Sequence, residues 1–127
     1  MHEICTFDYA TIRVVPRVER EEFINVGVIL SCPAQKFLEA RVEPNWDRLH
    51  AVAPELEREK IQIYLNIIPR ICAGDEGTGM IGKLTQRERF YWLTAQRSTI
   101  IQNSPVHTGF TTDVEKTLEH LLEQLVR

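Results

Sequence analysis

The chain has 127 residues, 43% of them hydrophobic, 26% charged and 8% aromatic, which is room for one domain that needs no metal or disulfide staple. A formal net charge of −3 supplies no bulk positive field for nucleic acid or an anionic membrane. The longest apolar run, residues 26–30, is too short to span a bilayer, and the first residues lack a signal-peptide pattern, so the expected location is cytoplasmic.

In chain order, the first third reads as strands. Residues 7–15 are rich in β-branched and aromatic types, closed by Pro16 as an edge or bulge would be. A charged connection, residues 17–22, leads into the strongest strand pattern, residues 23–32, stopped by Pro33. A third strand, residues 36–43, stops at Pro44, and the short links predict an antiparallel meander. Helices follow. Asn45 is placed to cap a short one bearing Trp46, Leu49, His50 and Ala53 on one side. A longer one is expected from Pro54, with Leu56, Ile63, Tyr64, Ile67, Ile68 and Ile71 as its stripe and Pro69 as its end or kink.

The glycine-dense stretch near residues 73–83 reads as a flexible linker. Thr85 and Glu88 then form a capping-box pattern that opens a helix through Phe90 and Leu93, and residues 98–102 suit a short strand. Thr112–Glu115 is a second capping-box pattern, opening a helix with Val114, Leu118, Leu121, Leu122, Leu125 and Val126 on one face. The expected fold is α+β, one domain over residues 1–127. It has an antiparallel sheet of about four strands, a three-stranded N-terminal meander plus one later strand, with helices packed on one face.

Alternation sorts each strand into two sides. In the strongest strand, Ile24, Val26, Val28, Leu30 and Cys32 oppose Phe23, Asn25, Gly27, Ile29 and Ser31. Ala10, Ile12 and Val14 oppose Tyr9, Thr11 and Arg13, and Leu38, Ala40 and Val42 oppose Phe37, Glu39, Arg41 and Glu43. One sheet face therefore suits helices. The other gathers an amide, a glycine gap, a tyrosine, two arginines and a carboxylate, either as wet surface or as the floor of a ligand or partner site. Asn25 and Gly27 in mid-strand favour the second, since such a glycine marks a bulge or a close approach.

No recognisable cofactor or metal motif is present. Cys5, Cys32 and Cys72 are odd in number and far apart, and neither they nor His2, His50, His107 and His120 set two ligands close together. Gly77, Gly79 and Gly82 have dinucleotide-loop spacing, and Gly77 with Gly82–Lys83 has P-loop spacing. A helix is expected before them, Leu84 stands where magnesium needs a hydroxyl, and Asp75 and Glu76 repel phosphate. Glu39–Ala40–Arg41 has only the outline of a nuclease acid-x-lysine core, and arginine cannot act as its base. Trp46, Tyr64, Phe90 and Trp92 read as core or interface before base-stacking platforms. Arg97, Ser98, Thr99, Gln102, Pro105, His107, Thr108 and Gly109 bring a cation, hydroxyls, an amide and an imidazole together, for an anion or a proton, or merely for local backbone bonds and a turn.

Two stretches carry a resemblance. Arg20-Glu21-Glu22-Phe23-Ile24-Asn25-Val26-Gly27-Val28-Ile29-Leu30 and, at a distance, Ala95-Gln96-Arg97-Ser98-Thr99-Ile100-Ile101-Gln102-Asn103-Ser104-Pro105-Val106-His107-Thr108-Gly109 resemble a small bacterial family, domain of unknown function 3037. The resemblance covers nearly the whole chain and falls on Arg20, Glu22, Asn25, Gly27, Arg97, Ser98, Thr99, Gln102, His107 and Gly109. It implies no activity. It does imply a protein partner, because relatives often appear encoded beside a HipA-type kinase, and it favours Asn25, Gly27, Gln102 and His107 as one centre.

Three readings follow. The leading one is a non-catalytic interaction module, contacting its partner through the polar sheet face and residues 97–109. The second is an enzyme or binding domain for a phosphorylated or other anionic small molecule. In it Arg20 and Arg97 hold charge, Ser98, Thr99, Asn25 and Gln102 orient, and His107 with Glu22 handles protons. The third, against which the net charge counts, is a nucleic-acid accessory domain using Lys83, Arg87, Arg89 and Arg97. No membrane partner is expected.

Overall fold

A computed structural model describes residues 3–127, so that Met1 and His2 lie outside the described residues. Strand β1 (Cys5–Val14) buries side chains on both of its faces and occupies the middle of the sheet. Strand β2 (Ile24–Cys32) pairs with one side of it, and β3 (Phe37–Val42) adds to the outside of β2. Two short strands share the other side of β1: β4 (Ile101–Asn103) along Ile12–Val14, and β5 (His107–Thr111) along Cys5–Tyr9. All these pairings are antiparallel, and the fold is α+β.

Five helices follow the meander or close the chain: α1 (Trp46–Val52), α2 (Arg58–Ala73), α3 (Gly79–Gly82), α4 (Gln86–Thr94) and α5 (Val114–Leu125). Leu49 of α1, Ile61, Leu65 and Ile71 of α2, and Phe90 and Leu93 of α4 share one core with Ala10, Ile12 and Val14. Helix α5 makes a second core, in which Val114, Leu118, Leu121 and Leu122 cover Cys5, Phe7, Val28, Leu30 and Cys32. Helices therefore lie on both faces of a five-stranded sheet, where one covered face and about four strands were expected.

A β-bulge explains the second core. The β1–β2 register runs Ile12↔Gly27 and then Arg13↔Asn25, which leaves Val26 as an extra residue. Ile24 and Val26 turn toward α1 and α2, whereas beyond the bulge Val28, Leu30 and Cys32 turn toward α5 and Ile29 takes the opposite side. Unbroken alternation would have put all the even-numbered residues on one face. With the switch, both faces are apolar and each requires a cover. Gly27 also lets β3 come close, since a Cβ there would sit 2.5 Å from the Arg41 carbonyl oxygen.

The helix termini follow local chemistry. Asn45 Oδ1 accepts from Arg48 N at 3.1 Å, and Thr85 and Glu88 form a reciprocal capping box. The box draws the Glu88 carboxyl below its ordinary range by accepting from the Thr85 backbone N–H. Asp113, not Thr112, caps α5 by accepting from Lys116 N at 3.1 Å. Helix α2 starts at Arg58 rather than Pro54, because Leu56 N first closes a turn on the Ala53 carbonyl. It also runs through Pro69 to Ala73, where Gly74 (φ 69°) ends it. The proline forgoes one intrahelical bond, and burial of Ile71 and Cys72 beyond it holds the last turn. All three cysteines are buried, and burial pushes the Cys72 thiol up to about 12. No helix among the described residues is long and apolar enough to cross a membrane.

Candidate interaction site

The face of the sheet under α2 and α4 is incompletely closed. Helix α2 turns Ile61 and Leu65 into the core, while Tyr64, Ile67, Ile68 and Ile71, spaced three or four apart, form a second stripe beside it. That stripe, with Ile12 and Ile29 of the sheet, Ile81 of α3, Trp92 and Leu93 of α4 and Ile100–Ile101, lines a groove of about 490 Å³. Its rim is apolar and exposed: Tyr64 is 54% exposed, Ile67 39% and Trp92 40%. Met80, next to Ile81, is 84% exposed.

Polar groups in the groove are few and placed. Arg97 lies over the Trp92 ring at 4.5 Å and donates from Nη2 to the Trp92 carbonyl at 2.6 Å and from Nη1 to the Leu93 carbonyl at 3.3 Å. It thereby closes the C-terminus of α4, which has no glycine cap. Among the described residues Arg97 has no carboxylate partner. Asn103 Nδ2 donates to the Thr94 carbonyl at 2.9 Å and Thr99 Oγ1 to the Ile101 carbonyl at 2.7 Å, which tie β4 and its loop to α4.

The opposite face is largely shut. Where a wet polar floor was one expectation, α5 lies across it and its polar rim is internally paired. Arg41 bonds Glu119 at 3.0 Å, and Arg127 bonds Glu43 at 2.9 Å and Glu119 at 2.5 Å. The Arg127 guanidinium holds the Glu43 carboxyl below the usual carboxylate range. Beyond the end of α5 one polar row remains. Arg13 pairs with Asn25 on one side and Gln102 on the other; four residues back along β1, Tyr9, which packs against the α5 core, pairs with His107. The Arg13 guanidinium lies 3.8 Å from the Phe23 ring, and burial lowers its pKa. Asn25 Nδ2 donates to the Leu125 carbonyl at 3.0 Å. Three of the four buried side-chain polar atoms without a partner among the described residues are here: Thr11 Oγ1, Arg13 Nε and Asn25 Oδ1.

The chain belongs to the DUF3037 family. The family model, described as a protein of unknown function, matches residues 9–126. No curated protein and no solved structure matches the chain.

In this DUF3037 chain the two resembling stretches meet in part: Asn25 and Gln102 flank Arg13 across the sheet, while their other residues are spread over different elements. Residues 20–30 cross β2, where Asn25 joins the Arg13 row, Gly27 follows the bulge at Val26, and Arg20 pairs with Glu22 on the exposed connection before the strand. Residues 95–109 divide between the faces. Arg97 and Thr99 line the groove, and Ser98 is exposed beside them. Gln102, whose Nε2 donates to the Thr99 carbonyl at 2.8 Å, sits in the Arg13 row, and His107, whose ring is 5.3 Å from that of Tyr9, lies on β5 further along β1. Gly109 makes room for Phe7, whose Cζ a Cβ would meet at 2.7 Å. His107 and Glu22 are thus on separate elements, with Glu22 engaged by Arg20. Of the four clustered cations, Arg89 is spent on the Leu84 and Cys72 carbonyls and Arg97 on the end of α4.

The groove itself was missed from sequence. Tyr64, Ile67, Ile68 and Ile71 were visible as a stripe, but a stripe does not say which of its members lack a facing partner. The excess width was the available signal, since α2 carries more apolar positions than one buried seam needs.

Proposed function

We propose that this DUF3037 chain is a non-catalytic interaction module whose groove between α2, α4 and the residues before β4 receives an apolar segment of a partner protein. The observation that carries it is the exposure of Tyr64, Ile67 and Trp92 on the rim of a mainly aliphatic groove. Contiguous exposed apolar surface of this kind marks interaction sites, and aromatic side chains dominate the energetics of such contacts. The HipA-type kinase implied by the resemblance is the partner to try, in the reducing cytoplasm that three unpaired cysteines suit.

Calorimetric titration of the chain with the HipA-type kinase of the same genome tests this. Saturable binding is expected, weakened at least ~10-fold, or about 1.4 kcal/mol, by Ile67→Glu and by Trp92→Ala. Asn25→Ala and His107→Ala should leave it unchanged. No binding, or binding indifferent to the groove variants, contradicts the proposal.

A second reading has one observation in its favour. The groove has a volume suited to a small molecule, and Arg97 lines it without a carboxylate partner. An apolar molecule with a carboxylate head would then raise the melting temperature of the wild type and not of Arg97→Met.

A further inference from the structure

The sheet has two free edges with opposite chemistry. The β3 edge lies in residues 36–43, which include Lys36, Glu39, Arg41 and Glu43, the kind of charge that keeps a strand edge from pairing with another chain. On the other side, residues 98–112 are fifteen consecutive residues without one Lys, Arg, Asp or Glu. Strand β5 lies inside this stretch and pairs with β1 on one side only. It contains no proline and no bulge, and its backbone groups make no further backbone hydrogen bond within the described residues. Its one large apolar side chain is open, with Phe110 76% exposed, and Ile4, just before β1, is 73% exposed. Of the usual protections of an edge only shortness is present, since β5 has five residues.

We infer that β5 pairs antiparallel with β5 of a second copy of this chain, about a two-fold axis at Gly109, so that two sheets become one. In that register His107 faces Thr111 of the other copy, Thr108 faces Phe110, and Gly109 faces Gly109. The sequence is its own complement. No like charges meet, and each Phe110 is opposite a threonine and diagonal to the other Phe110, within reach of an aromatic side chain across a sheet. Thr108 Oγ1 donates to Asp8 at 2.6 Å, which engages the nearest carboxylate one strand back from the edge. Gly109 presents no side chain at the axis, and Phe7 of its own chain fills the space beneath it. A foreign strand would need charges or side-chain pockets to select it, and this edge offers neither. Its outward backbone groups and Phe110 are satisfied by a symmetric mate. The inference stands apart from the groove, which lies at α2 and α4.

Sedimentation velocity from low micromolar to near-millimolar concentration, combined with amide hydrogen exchange, tests it. The wild type is expected to shift from monomer to dimer, with exchange over residues 107–111 slowing as the dimer forms. Phe110→Lys, a change at an exposed position that places like charges across the axis, should stay monomeric throughout with an unchanged melting temperature. A wild type that remains monomeric over the whole range overturns the inference. So does a dimer that survives Phe110→Lys, or one in which residues 107–111 exchange as fast as in the monomer.

Discussion

The two faces of the sheet are covered by different means. On one, the single helix α5 inserts a continuous apolar stripe, and ion pairs through Arg41, Glu43, Glu119 and Arg127 close its border. On the other, three helices share the work and leave the Ile12–Ile29 region under a groove. A single amphipathic helix seals its face of the sheet, whereas three helices that share the other leave a seam between them. A seam rimmed by tyrosine, isoleucine and tryptophan is where this molecule has apolar surface left to bury against something else.

The largest effect should come from breaking the sealed face. Leu118 and Leu122 are fully buried, so Leu122→Ala should cost about 2–5 kcal/mol in urea unfolding, by lost transfer energy and the cavity left behind. A much smaller loss would mean that α5 is not docked as described. Next comes Gly27→Ala, which drives a Cβ into the Arg41 carbonyl oxygen and Val42 and should cost about 1–3 kcal/mol. If it were neutral, the close β2–β3 approach would be in doubt. Ile67→Glu should do the reverse of Leu122→Ala. It should change stability by about 0.5 kcal/mol or less, while partner binding falls as stated above.

The smallest effect concerns the border of α5. Glu43 has its folded pKa depressed by Arg127 below the ordinary 4.5. Its contribution is therefore present above the unfolded pKa and disappears as pH falls through the folded one. Because the pair is partly exposed, Glu43→Gln should lower stability at neutral pH by only about 0.5 kcal/mol. That difference from wild type should vanish once the pH is taken below the folded pKa, where both states are protonated. Urea midpoints at the two pH values read this directly. A difference that persists in acid would assign the loss to packing rather than to the ion pair.

Much of the architecture was readable from residue pattern. The α5 stripe from Val114 to Val126, the Asn45 cap, the Thr85–Glu88 box and the three-strand meander are local signals, and the chain obeys them. Strand β5 was not readable, because His-Thr-Gly-Phe-Thr contains a glycine and mostly exposed residues and forms only where β1 offers an edge. The choice of face for α5 was hidden for another reason: one extra residue at Val26 reverses the sides of the rest of β2. Glu39, Arg41 and Glu43 lie with the α5 border, while Arg13, Asn25 and Gln102 extend past it. The continuation of α2 through Pro69 likewise reflects tertiary burial of Ile71 and Cys72 overriding a local breaker.

Amide hydrogen exchange of the chain with and without the HipA-type kinase most directly tests whether the seam is the interaction site. The expected result is slowed exchange over the groove-lining parts of α2 and α4 and residues 97–101, with α5 and β2 unchanged. Protection concentrated instead around Tyr9, Asn25 and His107 would contradict it and return the contact to the opposite face.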